Sequence, residues 1–235
     1  PTALYVALGG DGDRAPVQNP DRYEGKFLRI DAATGLGLPD NPYFDGNPDS
    51  VRSRVWAIGL RNPFRFALHP GRPSTSVLYA SENGDATDRL SRIGQGSNGA
   101  WGPGGDNGGF LNPPDPGHRV LFTGPPSHIG IAISPSGPFG TDVLYLAKWF
   151  PGTPVIRRFQ LTGAALDEAI SLDGGVFLSN EVAVDFQFGP DGHLYYSQTG
   201  GDASTGGFYQ LRRIRFVGGS PPVAAFSTSP DPADG

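Results

Sequence analysis

Four short stretches of the chain carry residue types that could bind or transform a ligand. Gly9-Gly10-Asp11-Gly12-Asp13 joins glycines, which let backbone approach a ligand closely, to carboxylates that could orient a base or meet a cation. The same residues also make an ordinary polar turn. Leu60-Arg61-Asn62-Pro63 sets a planar guanidinium beside an amide, a pairing suited to carboxylates or carbonyls and equally common in surface turns. Ser81-Glu82-Asn83-Gly84-Asp85-Ala86-Thr87-Asp88 is acidic but lacks the twelve-residue EF-hand pattern. A calcium ion there would draw on backbone carbonyls as well as carboxylates. Lys148 falls in the apolar run Val143 to Phe150, either at an exposed strand end or over an anionic ligand.

Other chemistries lose ground on the same residues. With 0 Cys there are no disulfides, thiolate metal sites or cysteine nucleophiles. The 4 histidines, His69, His118, His128 and His193, read as turn or loop residues, and no His-x-His or His-x-x-x-His spacing offers a zinc site. No Gly-x-Ser-x-Gly elbow supports a serine hydrolase. A net charge of -5 with interspersed signs leaves no basic footprint for nucleic acid. No apolar run approaches the roughly 18 residues of a membrane span.

The elements that must position these residues are strands. A Leu-Tyr step inside an apolar run occurs at Leu4-Tyr5, Leu78-Tyr79, Leu144-Tyr145 and Leu194-Tyr195. After each comes a Gly/Asp/Pro-rich loop and a second run carrying arginine: Phe27 to Ile30, Leu90 to Ile93, Val155 to Phe159 and Leu211 to Ile214. Three copies are preceded by a further run closing in a tight turn, as in Phe186-Gln187-Phe188-Gly189-Pro190-Asp191-Gly192. Short runs rich in Val, Ile, Phe and Tyr between Gly, Pro, Asp and Asn predict strands and turns. With 36 Gly and 24 Pro in 235 residues, long helices have nowhere to form. The expectation is an all-β chain whose repeats are propeller blades. The Leu-Tyr steps lie 74, 66 and 50 residues apart, against roughly 40 to 50 for an undecorated blade, so two blades carry long loops. The arginines of the second runs alternate with apolar residues and read as solvated strand faces.

Residues 1–217 thus read as propeller, which the family resemblance given below implies is partial, and residues 218–221 as linker. From Pro222 the segment Pro222-Val223-Ala224-Ala225-Phe226-Ser227 resembles the opening of the Ig-like repeat named after the polycystic kidney disease protein. That resemblance implies that residues 222–235 begin a spacer domain of a larger extracellular or periplasmic protein.

The ordered motifs resemble the glucose/sorbosone dehydrogenases. The residues that carry this are Leu4-Tyr5-Val6 leading to Gly-Gly-Asp-Gly, Gly25 to Asp31, Pro39-Asp40-Asn41-Pro42, Gly59 to Phe66, Gly96 to Gly102 and Gly189 to Tyr195. The resemblance implies a six-bladed propeller binding pyrroloquinoline quinone (PQQ) and calcium, and hydride transfer from the anomeric carbon of an aldose or sorbosone to the quinone. It places Arg61, Asn62, Asn83 and Lys148 on the cofactor, backbone carbonyls of Gly84 and Asp85 on calcium, and Asp11 beside a catalytic histidine that would precede Pro1. It also implies about four blades here, the N-terminal ones being absent, and a piece inactive by itself.

The sequence departs from the family at three places. Val182 and Val184 stand where the glucose enzyme has an arginine pair, Asp85 stands where it has proline, and Asn83 is a shorter amide. A non-catalytic extracellular propeller that binds a glycan or protein, like the Hedgehog-interacting proteins the resemblance extends to, is the competing expectation. A lactonase-like hydrolase would need a Glu/Asn/Asp metal cage that nothing here maps onto.

Overall fold

The computed structural model describes residues 2–10, 14–72, 77–84, 86–102, 115–149, 151–200 and 208–216. The linker and the expected Ig-like start at residues 218–235 lie outside them, as do Asp11 and Asp85.

Each repeat becomes one antiparallel sheet. The first holds β1 (Ala3–Leu8), β2 (Lys26–Asp31) and β3 (Val55–Ala57), with the single helical turn α1 (Val51–Arg54) feeding β3. In the second, β4 (Pro63–Leu68), β5 (Leu78–Glu82), β6 (Asp88–Ile93) and β7 (His118–Gly124) pair in sequence order. The third runs β8 (His128–Pro135), β9 (Thr141–Lys148), β10 (Val155–Thr162) and β11 (Glu168–Ser171), with β12 (Leu178–Ser179) paired to β10. The fourth contains β13 (Ala183–Phe188), β14 (Leu194–Gly200) and β15 (Phe208–Ile214).

Period-two side-chain alternation gives every sheet two apolar faces to bury. Tyr79, Leu90, Ile131, Leu144 and Phe159 fill the seam between the second and third sheets. Phe139, Tyr145, Phe186, Leu194 and Ile214 fill the next one. Each such side chain contributes about 1.5–3 kcal/mol on burial. The turn chemistry is local: in the turn from β13 to β14, Asp191 accepts from the His193 N–H at 3.1 Å and the Tyr195 hydroxyl at 2.7 Å, and Gly192 takes φ 76°.

Strands β4, β8 and β13 lie side by side, with β1 next to β4, around a cavity of about 1050 Å³. The Leu-Tyr strand of each of the last three sheets runs antiparallel to its cavity-lining neighbour, so the fifth residue from its Leu-Tyr step faces that neighbour's first, and in β5 and β9 that residue ends the strand. The pairs are Glu82 with Pro63, Lys148 with His128, and Gln198 with Ala183. Directly after each pair the ladder slips by a bulge, a device that bends a strand and re-aims its side chains. All three corners lie at one end of the sheets, where β1 also ends.

Two sequence expectations change. The second-run arginines do not all sit on solvated faces: Arg158 is buried in a fork to Asp173 at 2.6 and 2.7 Å above the Phe177 ring, and Arg89, just ahead of the run Leu90 to Ile93, is fully buried. A bidentate carboxylate and an aromatic face satisfy the guanidinium without water. His118 and His128 open strands rather than lying in loops, and both are buried, as is His69 just after β4.

Candidate functional site

The segment Gly59 to Asn62 is the spine of the site because its backbone groups are claimed from several sides. Gly59 N–H donates to Val17 O at 3.2 Å and Leu60 N–H to Gly25 O at 3.1 Å. Arg61 O accepts from Gly10 N–H at 2.5 Å, and Asn62 O from Asn83 N–H at 2.9 Å. Arg61 N–H donates to Glu82 Oε1 at 2.6 Å. Glycines permit this crowding. A Cβ on Gly10 would lie 2.6 Å from the Trp101 ring, and one on Gly25 1.8 Å from Val17 Cγ1. Lys26 secures the loop over β2, donating to Val17 O and Glu24 O at 2.7 Å. Burial lowers the Lys26 pKa to about 8, against a smaller raising effect of Glu24.

At the second-sheet corner the sequence-selected residues meet. Arg61 and Asn62 precede β4 while Asn83 and Gly84 follow β5, and the Arg61 guanidinium donates to Asn83 O at 2.7 Å. Asn62 Oδ1 faces Gly9, within 3.2 Å of where a Cβ would sit. Beneath them Glu82 and Arg89 form an ion pair at 2.7 Å, both side chains 0% exposed. His118 packs beside Arg89, and burial together with that guanidinium holds its pKa well below 6.5, so the ring is neutral at pH 7.

Asn83 has an unexpected partner set. Its amide nitrogen donates to Asp88 Oδ2 and to His128 O, both at 2.7 Å, which consumes its donors. Gly84 N–H donates to Asp88 Oδ1 at 2.9 Å, and His128 N–H to Asp88 Oδ2 at 2.6 Å. Asp88 is fully buried and links the second sheet to the third. The acidic look of residues 81–88 therefore comes partly from two carboxylates, Glu82 and Asp88, already spent on protein donors.

Lys148 closes the third-sheet corner. It is 6% exposed, which excludes the exposed strand end. Its ammonium donates to the carbonyls of Pro151 at 2.5 Å and Trp149 at 3.4 Å. Among the described residues it forms no ion pair with a carboxylate, a costly state for a buried cation and one that an incoming anion would relieve. At the fourth-sheet corner Glu181 accepts from Tyr196 Oη at 2.9 Å, Gln198 Nε2 at 3.1 Å and Arg212 at 3.0 Å. Val182 and Val184 lie beside it, Val184 at the bulge. The sequence reading missed Arg89 and Glu181, and took Asp88 only as part of an acidic loop. The signal that finds the corners is the fifth residue of each Leu-Tyr run: Leu8, Glu82, Lys148 and Gln198.

The fold is all-β, and its structural neighbours are sugar dehydrogenase propellers. A sequence model of the Glucose / Sorbosone dehydrogenase family matches residues 2–109, which include Arg61, Asn62, Asn83 and Gly84. The chain is homologous to the Aldose sugar dehydrogenase YliI of Escherichia coli (strain K12), with 26% identity over 203 residues, or 82% of this chain and 53% of that protein. The HIPL2 protein of Arabidopsis thaliana is 31% identical over 116 residues, 42% of this chain and 16% of that one. The structure of the soluble aldose sugar dehydrogenase from Escherichia coli in its apo form superposes with TM-score 0.63 at 25% identity, covering 83% of this chain and 57% of that one. The PQQ-bound aldose sugar dehydrogenase from Streptomyces coelicolor gives TM-score 0.62 at 25% identity, covering 90% and 57%. The chain thus spans 53% of its bacterial curated relative and 16% of the plant ones.

Proposed function

We propose that this chain forms the cofactor-holding side of a PQQ- and calcium-dependent aldose or sorbosone dehydrogenase. The observation that carries the reading is Lys148, a buried cation at the site end that meets only carbonyl oxygens among the described residues. The donor set suits a quinone bearing carboxylates: the Lys148 ammonium and the Arg61 guanidinium supply positive charge, and Asn62 supplies an amide. Gly84 suits a hard cation, since its N–H is fixed by Asp88 and its carbonyl accepts no hydrogen bond among the described residues. Asn83 fits the group less well as a donor, because both its N–H bonds are used within the protein.

Bound there with calcium, the quinone would supply the hydride acceptor for C1 of the sugar. The chain's own part is to orient it. Arg61 is fixed at its backbone by Glu82 and at its guanidinium by Asn83 O, so its charge is preorganised. Lys148 is held at the β9 end by pairing with both β8 and β10. Asp11, which lies outside the described residues, keeps its proposed role beside a histidine base, and so does Asp85 with calcium.

Titrating the protein with PQQ in the presence of calcium, followed by tryptophan quenching and calorimetry, should show micromolar binding. Aldose-dependent dye reduction should accompany it in the full-length protein. Absence of quinone binding would overturn the reading. It would favour a non-catalytic propeller that binds a glycan or protein, the alternative supported by Val182 and Val184 and by the engagement of Arg212 with Glu181. An extracellular or periplasmic location and a following Ig-like spacer remain part of the proposal, tested by fractionating the producing cells.

A further inference from the structure

We propose that the adjacent residues Asp88 and Arg89, at the start of β6, are the positioning unit of the site, an inference that rests on the quinone-binding reading for its functional half. Neither residue offers a group to a ligand, yet between them they hold most of the groups that would. Asp88 receives three donors on two oxygens: Asn83 Nδ2 and His128 N–H on Oδ2, and Gly84 N–H on Oδ1. It thereby fixes the Gly84 carbonyl and the first residue of β8, whose register partner is Lys148. Arg89 donates to Glu82 Oε2 and to Gly99 O, while the other oxygen of Glu82 holds the Arg61 N–H. One dipeptide thus ties Arg61, Asn83, Gly84 and the Lys148 corner together across two sheets.

The geometry sets a demand that only a carboxylate meets. Because all three groups on Asp88 are donors, an isosteric amide would present an oxygen to one side and an N–H against a donor on the other. A site whose supporting shell is lost typically weakens by roughly 10- to 100-fold in affinity.

The test compares the whole chain with its Asp88→Asn variant by amide hydrogen exchange and by PQQ titration with calcium. The Gly84 and His128 amides should exchange about 10- to 100-fold faster in the variant, the value of a hydrogen bond to a charged acceptor. Leu78 and Ile93, at the far ends of β5 and β6, should keep their protection. Quinone affinity should fall by roughly 10- to 100-fold. Unchanged exchange at Gly84 and His128 overturns the proposal. Faster exchange with unchanged quinone affinity overturns it too, leaving Asp88 a local brace. If wild-type protein binds no quinone, the functional reading has failed, and the exchange pattern still decides whether Asp88 orders the corner. If the variant does not fold, the wild-type exchange decides: Gly84 and His128 must be as protected as Leu78, and free exchange there refutes the assignment.

Discussion

The second-sheet and third-sheet corners are the same place in two repeats, filled with opposite charge. Glu82 and Lys148 both end a Leu-Tyr strand and both pair with the first residue of the cavity-lining strand. On the far side Glu82 meets Arg89, whereas Lys148 meets Val155. The acid is neutralised within the protein, and its second oxygen orders the backbone of Arg61. The base has only carbonyl oxygens among the described residues. Burial costs both groups solvation, but only the Glu82 corner recovers it by ion pairing. Charge closed on itself builds a frame, and a buried charge that meets only carbonyl oxygens among the described residues is an invitation to an anion.

Breaking the closed pair should have the largest effect. Arg89→Met leaves the Glu82 carboxylate buried without its cation and should destabilise the protein by about 3–5 kcal/mol, read as a lower midpoint in urea denaturation. The equivalent change at the other corner should behave in the opposite way. Lys148→Met removes a buried cation that no carboxylate among the described residues matches, so stability should stay within about 1 kcal/mol of wild type or rise. Quinone affinity should nevertheless fall by about 1.5–3 kcal/mol, measured by calorimetry. Equal destabilisation by the two substitutions would show that the corners are not energetically distinct.

Much of this frame was legible in the sequence. The all-β class and the four repeats follow from Leu-Tyr runs punctuated by Gly and Pro, and the observed strands begin and end near those marks. Arg61, Asn62, Asn83, Gly84 and Lys148 were singled out by residue type and resemblance, and the fold places them at one end of the sheets. What sequence could not show was partnership. Glu82 and Asp88 look like free ligands in a loop, and only the register of β5 against β6, and of β8 against β9, reveals that protein donors surround them. Arginine alternation likewise reads as solvated until Arg158 finds the Asp173 carboxylate inside.

Lys26 extends the comparison to the first sheet, since it pairs with Leu8 as Arg89 pairs with Glu82. Here a cation faces an apolar partner and donates to carbonyls, and burial lowers its pKa from 10.5 to about 8. The unfolded chain therefore holds a proton between about pH 8 and 10.5 that the folded chain has released, so the Lys26 contribution to stability rises with pH across that window. Wild-type stability relative to Lys26→Met should climb by at most about 1.4 kcal/mol per pH unit there and be flat below pH 7. A flat difference throughout would mean that the ammonium is better solvated than its surroundings imply.

The smallest effect belongs to the fourth-sheet corner, where Glu181 gathers Tyr196, Gln198 and Arg212. Three donor groups again converge on one carboxylate, but here all come from side chains and none fixes a main chain that could present a ligand. Glu181→Gln should therefore cost only about 1 kcal/mol, since the side chains can turn toward water as a backbone cannot. Burial first, and the neighbouring carboxylate second, raise the Tyr196 pKa far above its usual value. Removing the negative charge should let Tyr196 ionise at lower pH than in wild type while burial keeps it above an ordinary tyrosine, as followed by ultraviolet absorbance. If Glu181→Gln instead destabilises as much as Arg89→Met, this corner too is a frame, and Arg212 is held for structure rather than withheld from a ligand.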